Sequence, residues 1–301
     1  MRALVTGAGG FVGAHLTARL AADGWDVVAT VRPGSAVPGG WTGTTVVPVD
    51  LTDPVTVREL AATADADVAF LLAAGRAMSS PAERAATMAV NASGGAWLVD
   101  GMGARCQAVV RLGSSTEYAP TVGPMDEATP VWPQGFFGAT KAAGSLLVAA
   151  VAEARGIRAT SLRAFQVYGP GDHPGRLVPS ALRAARSGEV LPLTGPGLRR
   201  DWVHVDDVVE ACVRAALADH LPAGQVLNIG TGRQVANEEL VGVVEQVSGR
   251  PVVVAPGAHP GRTWDTGSWV CDPALAADLL GWEAKVTLED GLARCWEVAD
   301  R

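Results

Sequence analysis

The sequence predicts an α/β protein, a doubly wound parallel sheet followed by a smaller mixed α/β C-terminal part. Through the first half, short β-branched runs alternate with longer helical patterns, as parallel strands joined by crossover helices require. A glycine-rich turn stands between the first strand and the first helix. After Gly169, Gly/Pro turns cluster and the alternation gives way to short mixed elements.

In chain order, strands are expected at residues 3–6, 27–31, 46–49, 68–72, 108–112 and 159–165. Helices are expected between them at 11–23, 55–62, 82–101 and 136–155. Beyond Gly169, 177–187 and 205–218 read as helices and 190–193 and 225–229 as extended; a helix at 237–248 and two closing helices follow. This pattern divides the chain into a cofactor domain over 1–168, with later strands from about 200–230, and a mainly substrate-binding part over 169–301.

Composition narrows the function. Of 301 residues 48% are apolar, yet no apolar run approaches the roughly 20 residues of a membrane span. The first strand starts at Met1-Arg2 with no charged and apolar leader pattern before it, so a cytoplasmic protein is expected. Cys106, Cys212, Cys271 and Cys295 lack metal or redox spacing and read as reduced packing thiols; the histidines do not cluster, so no metal is expected. A net charge of −7 argues against nucleic acid. Nine tryptophans against two tyrosines suit a flat aromatic ligand as well as a core. The expected partner is a small molecule, and the chain a monomer or homodimer.

The first strand runs into Thr6-Gly7-Ala8-Gly9-Gly10-Phe11-Val12-Gly13 and then a helix. Gly7 permits the tight turn, Gly10 lets the backbone approach a pyrophosphate, and Gly13 allows the helix to pack closely on the strand. The N–H groups that open the helix, near Phe11 and Val12, meet phosphate charge. The second strand ends in Arg32-Pro33-Gly34-Ser35 with no carboxylate for a ribose 2′-hydroxyl. Arg32 and Ser35 suit a 2′-phosphate, so NADPH is expected over NAD. Asp50, followed by Leu51, is placed either to accept from an adenine amino group or to cap a helix.

These stretches resemble the extended short-chain dehydrogenase/reductases, and later ones continue the resemblance: Ala73-Ala74-Gly75, Val90-Asn91-Ala92-Ser93-Gly94, Gly113-Ser114-Ser115, Tyr168-Gly169-Pro170-Gly171, Arg200 to Asp207 and Asn228 to Gly232. The resemblance implies a Rossmann-type fold with Ala73 and Ala74 beside the cofactor. It also implies hydride chemistry at a carbonyl or alcohol, with a tyrosine giving the proton, a lysine four residues on holding the nicotinamide ribose, and a serine on the substrate oxygen. Lys141 is present, and Ser114 stands 23 residues (137 − 114) before the tyrosine position, with Ser115 an equal rival. The tyrosine itself is Phe137, which cannot exchange a proton.

Three explanations stay open. A substrate phenol beside the ketone could supply the proton; Phe137 could be a replacement in an ordinary member; or the chain could be a non-catalytic NADP-binding sensor. With Phe137 as a wall, and Phe165, Gln166, Trp202 and Arg200 expected at the substrate, the pattern resembles the atypical angucyclinone-type polyketide ketoreductases of actinomycete pathways. Phe136, Trp132, Trp264 and Trp269 add to that aromatic expectation. The main expectation is therefore reduction of a bulky aromatic ketone, the alternative a nucleotide-sugar 4-ketoreductase or epimerase. Tyr118 and Tyr168 are weak substitutes for the missing acid.

Overall fold

In the computed structural model, residues 1–37, 41–261 and 267–298 are described. β1 (Arg2–Thr6), β2 (Asp26–Val31), β3 (Thr45–Pro48), β4 (Val68–Leu71) and β5 (Ala108–Ser114) share one sheet with Arg158–Ala164 and Gln225–Ile229. The order across it is Gln225–Ile229, Arg158–Ala164, β5, β4, β1, β2, β3. β1 pairs in parallel with both β2 and β4, β2 with β3, and β4 with β5. The Val/Ala-rich runs read as strands because both faces of the sheet are covered, and every residue of β4 is buried. The chain builds outward through β2 and β3, then returns to the other side of β1. That reversal leaves a crevice at the carboxyl ends of β1 and β4, where open α/β sheets hold their ligands.

Five helices matter for that crevice: α1 (Phe11–Ala22), α2 (Pro54–Ala64), α3 (Pro81–Met88), α4 (Gly95–Gly101) and α5 (Phe136–Arg155). The single helix expected over 82–101 is in fact α3 and α4 joined by a π-helical segment, Ala89–Gly94. Such wide turns are frequent at functional sites, and this one carries the buried Asn91. α5 is long and apolar enough by length and composition to cross a membrane. It packs instead against α4 and β5 as a core helix, burying Gly138, Lys141, Gly144 and Val148.

The chain separates into two compact units. Met1–Ala119, Pro130–Arg163 and Val209–Leu227 form the first, around a core that includes Leu4, Val28, Leu98, Val109 and Val148. Pro120–Thr129, Ala164–Val208 and Asn228–Arg301 form the second, around Tyr168, Leu182, Trp202, Leu240 and Leu292.

In the second unit Arg199–His204 is a strand, parallel to Gln166–Tyr168 and antiparallel to Gln234–Ala236. Its charges hide it from a sequence reading, and Asp201 shows why the charge is there. The buried carboxylate accepts from Thr231 N (2.8 Å), Thr231 Oγ1 (2.7 Å), Gly232 N (2.9 Å) and Cys271 N (3.1 Å). Burial raises its pKa against the pull of these donors. Asp207 likewise accepts from Lys285 N (3.1 Å) and Val286 N (3.0 Å), while Trp282 donates to its carbonyl (2.9 Å). Two carboxylates of the 200–207 motif are thus structural staples.

All four cysteines are free and buried. Burial pushes the thiols up, Cys106 to about 11 and Cys212 and Cys295 to about 12, which leaves them unreactive packing groups.

Candidate active site

The glycine turn sits at the sheet crevice. Gly7 has φ +69°, and a Cβ on it would lie 2.6 Å from the Ala73 backbone. A Cβ on Gly13 would overlap the Gly7 carbonyl. Both closures leave the backbone bare for an approaching diphosphate. Gly10 is the N-cap of α1 and no side chain caps the helix, so its first N–H groups are available to an anion. Phe11 and Val12 are half-buried beside it. These features fit a dinucleotide: a turn with no room for Cβ groups and an uncapped helix N-terminus.

The other residues expected beside a cofactor are Arg32, Ser35, Asp50, Leu51, Ala73 and Ala74. Arg32 and Ser35 are both exposed and form one turn, Ser35 N donating to Arg32 O (3.0 Å). Asp50 accepts from Thr52 N (2.9 Å) and Thr52 Oγ1 (2.8 Å), a turn-capping role. Leu51 and Ala73 line a cavity of about 20 Å³ with Thr6, Asn91, Arg111 and Lys141. Ala74 is exposed beyond it. Asn91 ties the Ala73–Gly75 loop down, accepting from Gly75 N (2.7 Å) and donating to Gly75 O (3.0 Å) and Thr140 Oγ1 (2.9 Å).

Phe137 and Lys141 lie one helical turn apart on α5, so both side chains occupy one face. A Cβ on Gly138 would overlap Thr116 O, and this close approach seats the start of α5 on the serine loop. Lys141 is buried and donates to Leu112 O. Burial first, then the nearby charge of Arg111, pushes its ammonium well below the usual lysine range. Ser114 is half-buried; its Oγ accepts from Thr116 N (3.2 Å) and shares a hydrogen bond with Thr116 Oγ1 (2.8 Å). Ser115 is buried. Phe137 is half-buried, and the Arg76 guanidinium lies over its ring, 4.8 Å from the centroid. Tyr118 and Tyr168 are both fully buried; the Tyr168 hydroxyl donates to Thr287 O (3.2 Å) within the second unit.

One part of the site escaped sequence reasoning. Glu117, completely buried, accepts from Ser114 N (2.9 Å), Ser145 Oγ (2.9 Å) and Arg163 Nε (3.0 Å), with Arg111 at 3.6 Å. Arg111 in turn donates to Ser145 Oγ (2.7 Å), Lys141 O (2.9 Å) and Asn91 O (3.3 Å). One ion cluster therefore binds the serine loop, α5 at Lys141 and the π-helical turn together. The available signal was an arginine inside each of two apolar strands.

Of the residues expected at the substrate, Phe165 (5% exposed) and Trp202 (7%) are buried in the second unit, Trp202 edge-on to Tyr168 at 6.3 Å. Trp269 is buried as well, Trp132 is exposed, and Phe136 is half-buried. Gln166 and Arg200 are half-buried, Arg200 donating to Arg199 O (2.7 Å). Trp264 lies outside the described residues.

A parallel sheet whose crevice holds a glycine turn that fits a dinucleotide is the arrangement of the extended short-chain dehydrogenase/reductases. The family model described as NAD dependent epimerase/dehydratase matches residues 3–230, and the chain belongs to that family. A UDP-glucose 4-epimerase of Mycolicibacterium smegmatis is 31% identical over 99% of this chain and 98% of its own length. A dTDP-6-deoxy-L-talose 4-dehydrogenase (NAD(P)(+)) of Kitasatospora kifunensis is 30% identical over 98% and 94%. The structure of MoeE5 in complex with UDP-glucose and NAD is 31% identical, covers 100% of this chain and 99% of its own, and superposes with a TM-score of 0.89.

Two expectations are corrected by these relatives. The preference for NADPH is overturned, since the structural relatives hold NAD. Arg32 does not select a phosphate by its presence, because an exposed guanidinium also stacks on an aromatic face such as adenine. The aromatic-polyketide resemblance gives way to the nucleotide-sugar alternative, which these relatives favour. Of the tryptophans expected near a flat ligand, Trp202 and Trp269 are buried packing residues and Trp132 is exposed.

Proposed function

We propose that this protein is a NAD-dependent enzyme acting at the C4 hydroxyl or carbonyl of a nucleotide-linked hexose. The observation that carries the proposal is likeness over the full chain, across both units, to a UDP-glucose 4-epimerase and to MoeE5 with UDP-glucose and NAD. NAD, when bound, supplies the two-electron chemistry, taking hydride from a C4 carbinol or returning it to a C4 carbonyl. The Gly10–Gly13 backbone and the start of α1 hold the diphosphate. Lys141 holds the nicotinamide ribose, and Ser114 hydrogen-bonds the reacting oxygen. The first unit is the cofactor domain and the second the substrate domain, in which Arg200 and Gln166 contact the nucleotide.

Phe137 neither gives nor takes the O4 proton, which must exchange with another group or with water. The test is to incubate the protein with NAD and UDP-glucose, UDP-glucuronic acid or dTDP-glucose, following C4 epimer and 4-keto products by NMR. F137Y, which restores a general acid one turn from Lys141, is expected to raise kcat by about 10²–10⁴. Absence of binding and turnover with all three sugars, in both proteins, would sink the proposal.

A second reading has its own observation, the absence of an acid at Phe137. A flat aromatic ketone bearing its own phenol would bring the proton with it. Reduction of such a ketone by the unmodified protein with NADH, with no gain from F137Y and no sugar turnover, would favour it.

A further inference from the structure

We propose that Arg76 stabilises the charge on the reacting oxygen, the task that a hydroxyl at position 137 would otherwise perform. The assignment rests on the nucleotide-sugar reading above. It starts from placement: the guanidinium lies over the Phe137 ring, on the helix that also carries Lys141 one turn later. A cation over an aromatic face is held there by the ring quadrupole, so Phe137 serves as a seat for Arg76.

The loop that carries Arg76 is fixed on both sides. Gly75 is clamped by both ends of the Asn91 amide, at 2.7 and 3.0 Å. Ala77 O accepts from Thr87 Oγ1 (2.7 Å), and Met78 O from Arg84 (3.0 Å). Glu83 then takes the N–H groups of Ser79 (2.7 Å) and Ser80 (3.2 Å). Asn91 also reaches Thr140 (2.9 Å), between Phe137 and Lys141, and so joins the loop to α5. The backbone on both sides of Arg76 is thereby held, and its guanidinium is seated on the Phe137 ring; a charge held in place stabilises an alkoxide with little rearrangement during the reaction.

The chemistry of the two side chains divides the work. A guanidinium stays protonated through the working pH range, so Arg76 neither gains nor loses a proton. In the oxidative direction the C4–H electron pair leaves as hydride to NAD, the O4–H bond breaks, and its proton goes to water. The return step takes the hydride back to C4 and a proton from water to O4. Arg76 offers donors to O4 while it carries negative charge. Its side chain is exposed, so water reaches the oxygen it holds. Neither buried tyrosine offers that access.

The test is a cycle of R76Q and R76K in the unmodified protein and in F137Y, with NAD and the three sugars named above. R76Q is expected to lower kcat by about 10²–10³ in the unmodified protein, as loss of an oxyanion donor does. R76K should retain part of the rate. In F137Y, where a hydroxyl does the same work, R76Q should cost less than about tenfold. NAD affinity should be unchanged throughout.

A second readout needs no substrate. In F137Y, absorbance titration at 295 nm against the unmodified protein reports the introduced phenol. Removing the Arg76 cation is expected to raise that pKa by about 1. An equal kcat loss in both backgrounds, or an unmoved phenol pKa, would overturn the assignment. If no sugar is turned over, the nucleotide-sugar reading fails, and the catalytic role assigned to Arg76 fails with it. If sugars turn over and R76Q is fully active, only the Arg76 assignment fails.

Discussion

Replacing Glu117 by Gln should remove much of the stability of the first unit. The carboxylate is completely buried and sits between Arg163 (3.0 Å) and Arg111 (3.6 Å), whose side chains are 6% and 5% exposed. Its oxygens also take the Ser114 N–H and the Ser145 hydroxyl, each at 2.9 Å. An amide keeps the size of the group and loses its charge, which leaves two guanidinium groups buried together without a counter-ion. Breaking a buried pair on one side costs about 3–5 kcal/mol, a large share of the roughly 5–15 kcal/mol that holds a domain folded.

Urea unfolding, followed by circular dichroism and tryptophan fluorescence, measures this directly. With a slope of about 3 kcal/mol/M, the midpoint should fall by roughly 1–1.7 M with the slope unchanged. R163M should cost less, because Glu117 keeps Arg111, Ser114 N and Ser145. A midpoint shift below about 0.3 M for E117Q, or a greater loss for R163M, would refute the view that this cluster holds the site together.

K141M should abolish turnover yet raise the Tm of the apoprotein by a few degrees, at about 2–4 °C per kcal/mol. Burial depresses the pKa of Lys141 in the folded chain below the ordinary 10.5. Above that value neither state carries the proton and the lysine costs nothing electrostatically. As pH falls below it, the unfolded chain takes up a proton that the folded chain does not, so the gain from K141M should be larger at pH 7 than at pH 10; thermal melts at both values check the sign. G13A should weaken NAD binding by at least about tenfold, measured by calorimetry, because the new Cβ displaces the Gly7 carbonyl from the diphosphate cradle.

The parts of this molecule that were legible in its sequence depend on local rules. Buried parallel strands announce themselves as β-branched runs, and the glycine turn as a spacing that only tight backbone approach explains. The four-residue interval from Phe137 to Lys141 places two side chains on one helix face whatever surrounds it. What stayed hidden depends on distant partners. The π-helical turn at Ala89–Gly94 has no local signature, since Asn91 is drawn out by Gly75 and Thr140. The strand Arg199–His204 looks too charged to be buried until Asp201 meets the N–H groups of Thr231, Gly232 and Cys271.

The same distinction accounts for the two corrected expectations. The chemical type of Arg32 does not decide its partner, because a guanidinium pairs with a phosphate and also stacks on an aromatic face such as adenine. The number of tryptophans suits a flat ligand, whereas burial of Trp202 and Trp269 depends on the packing of the second unit. Arg76 is the sharpest case. In sequence it is one arginine in Ala73-Ala74-Gly75-Arg76-Ala77, a stretch whose neighbours attract more notice. It acquires a chemical role only when Asn91 and Thr87 pin its loop and α5 brings Phe137 beneath it. A missing hydroxyl at one position is thus uninformative until the fold shows which charge lies beside it, here the Arg76 guanidinium over the Phe137 ring.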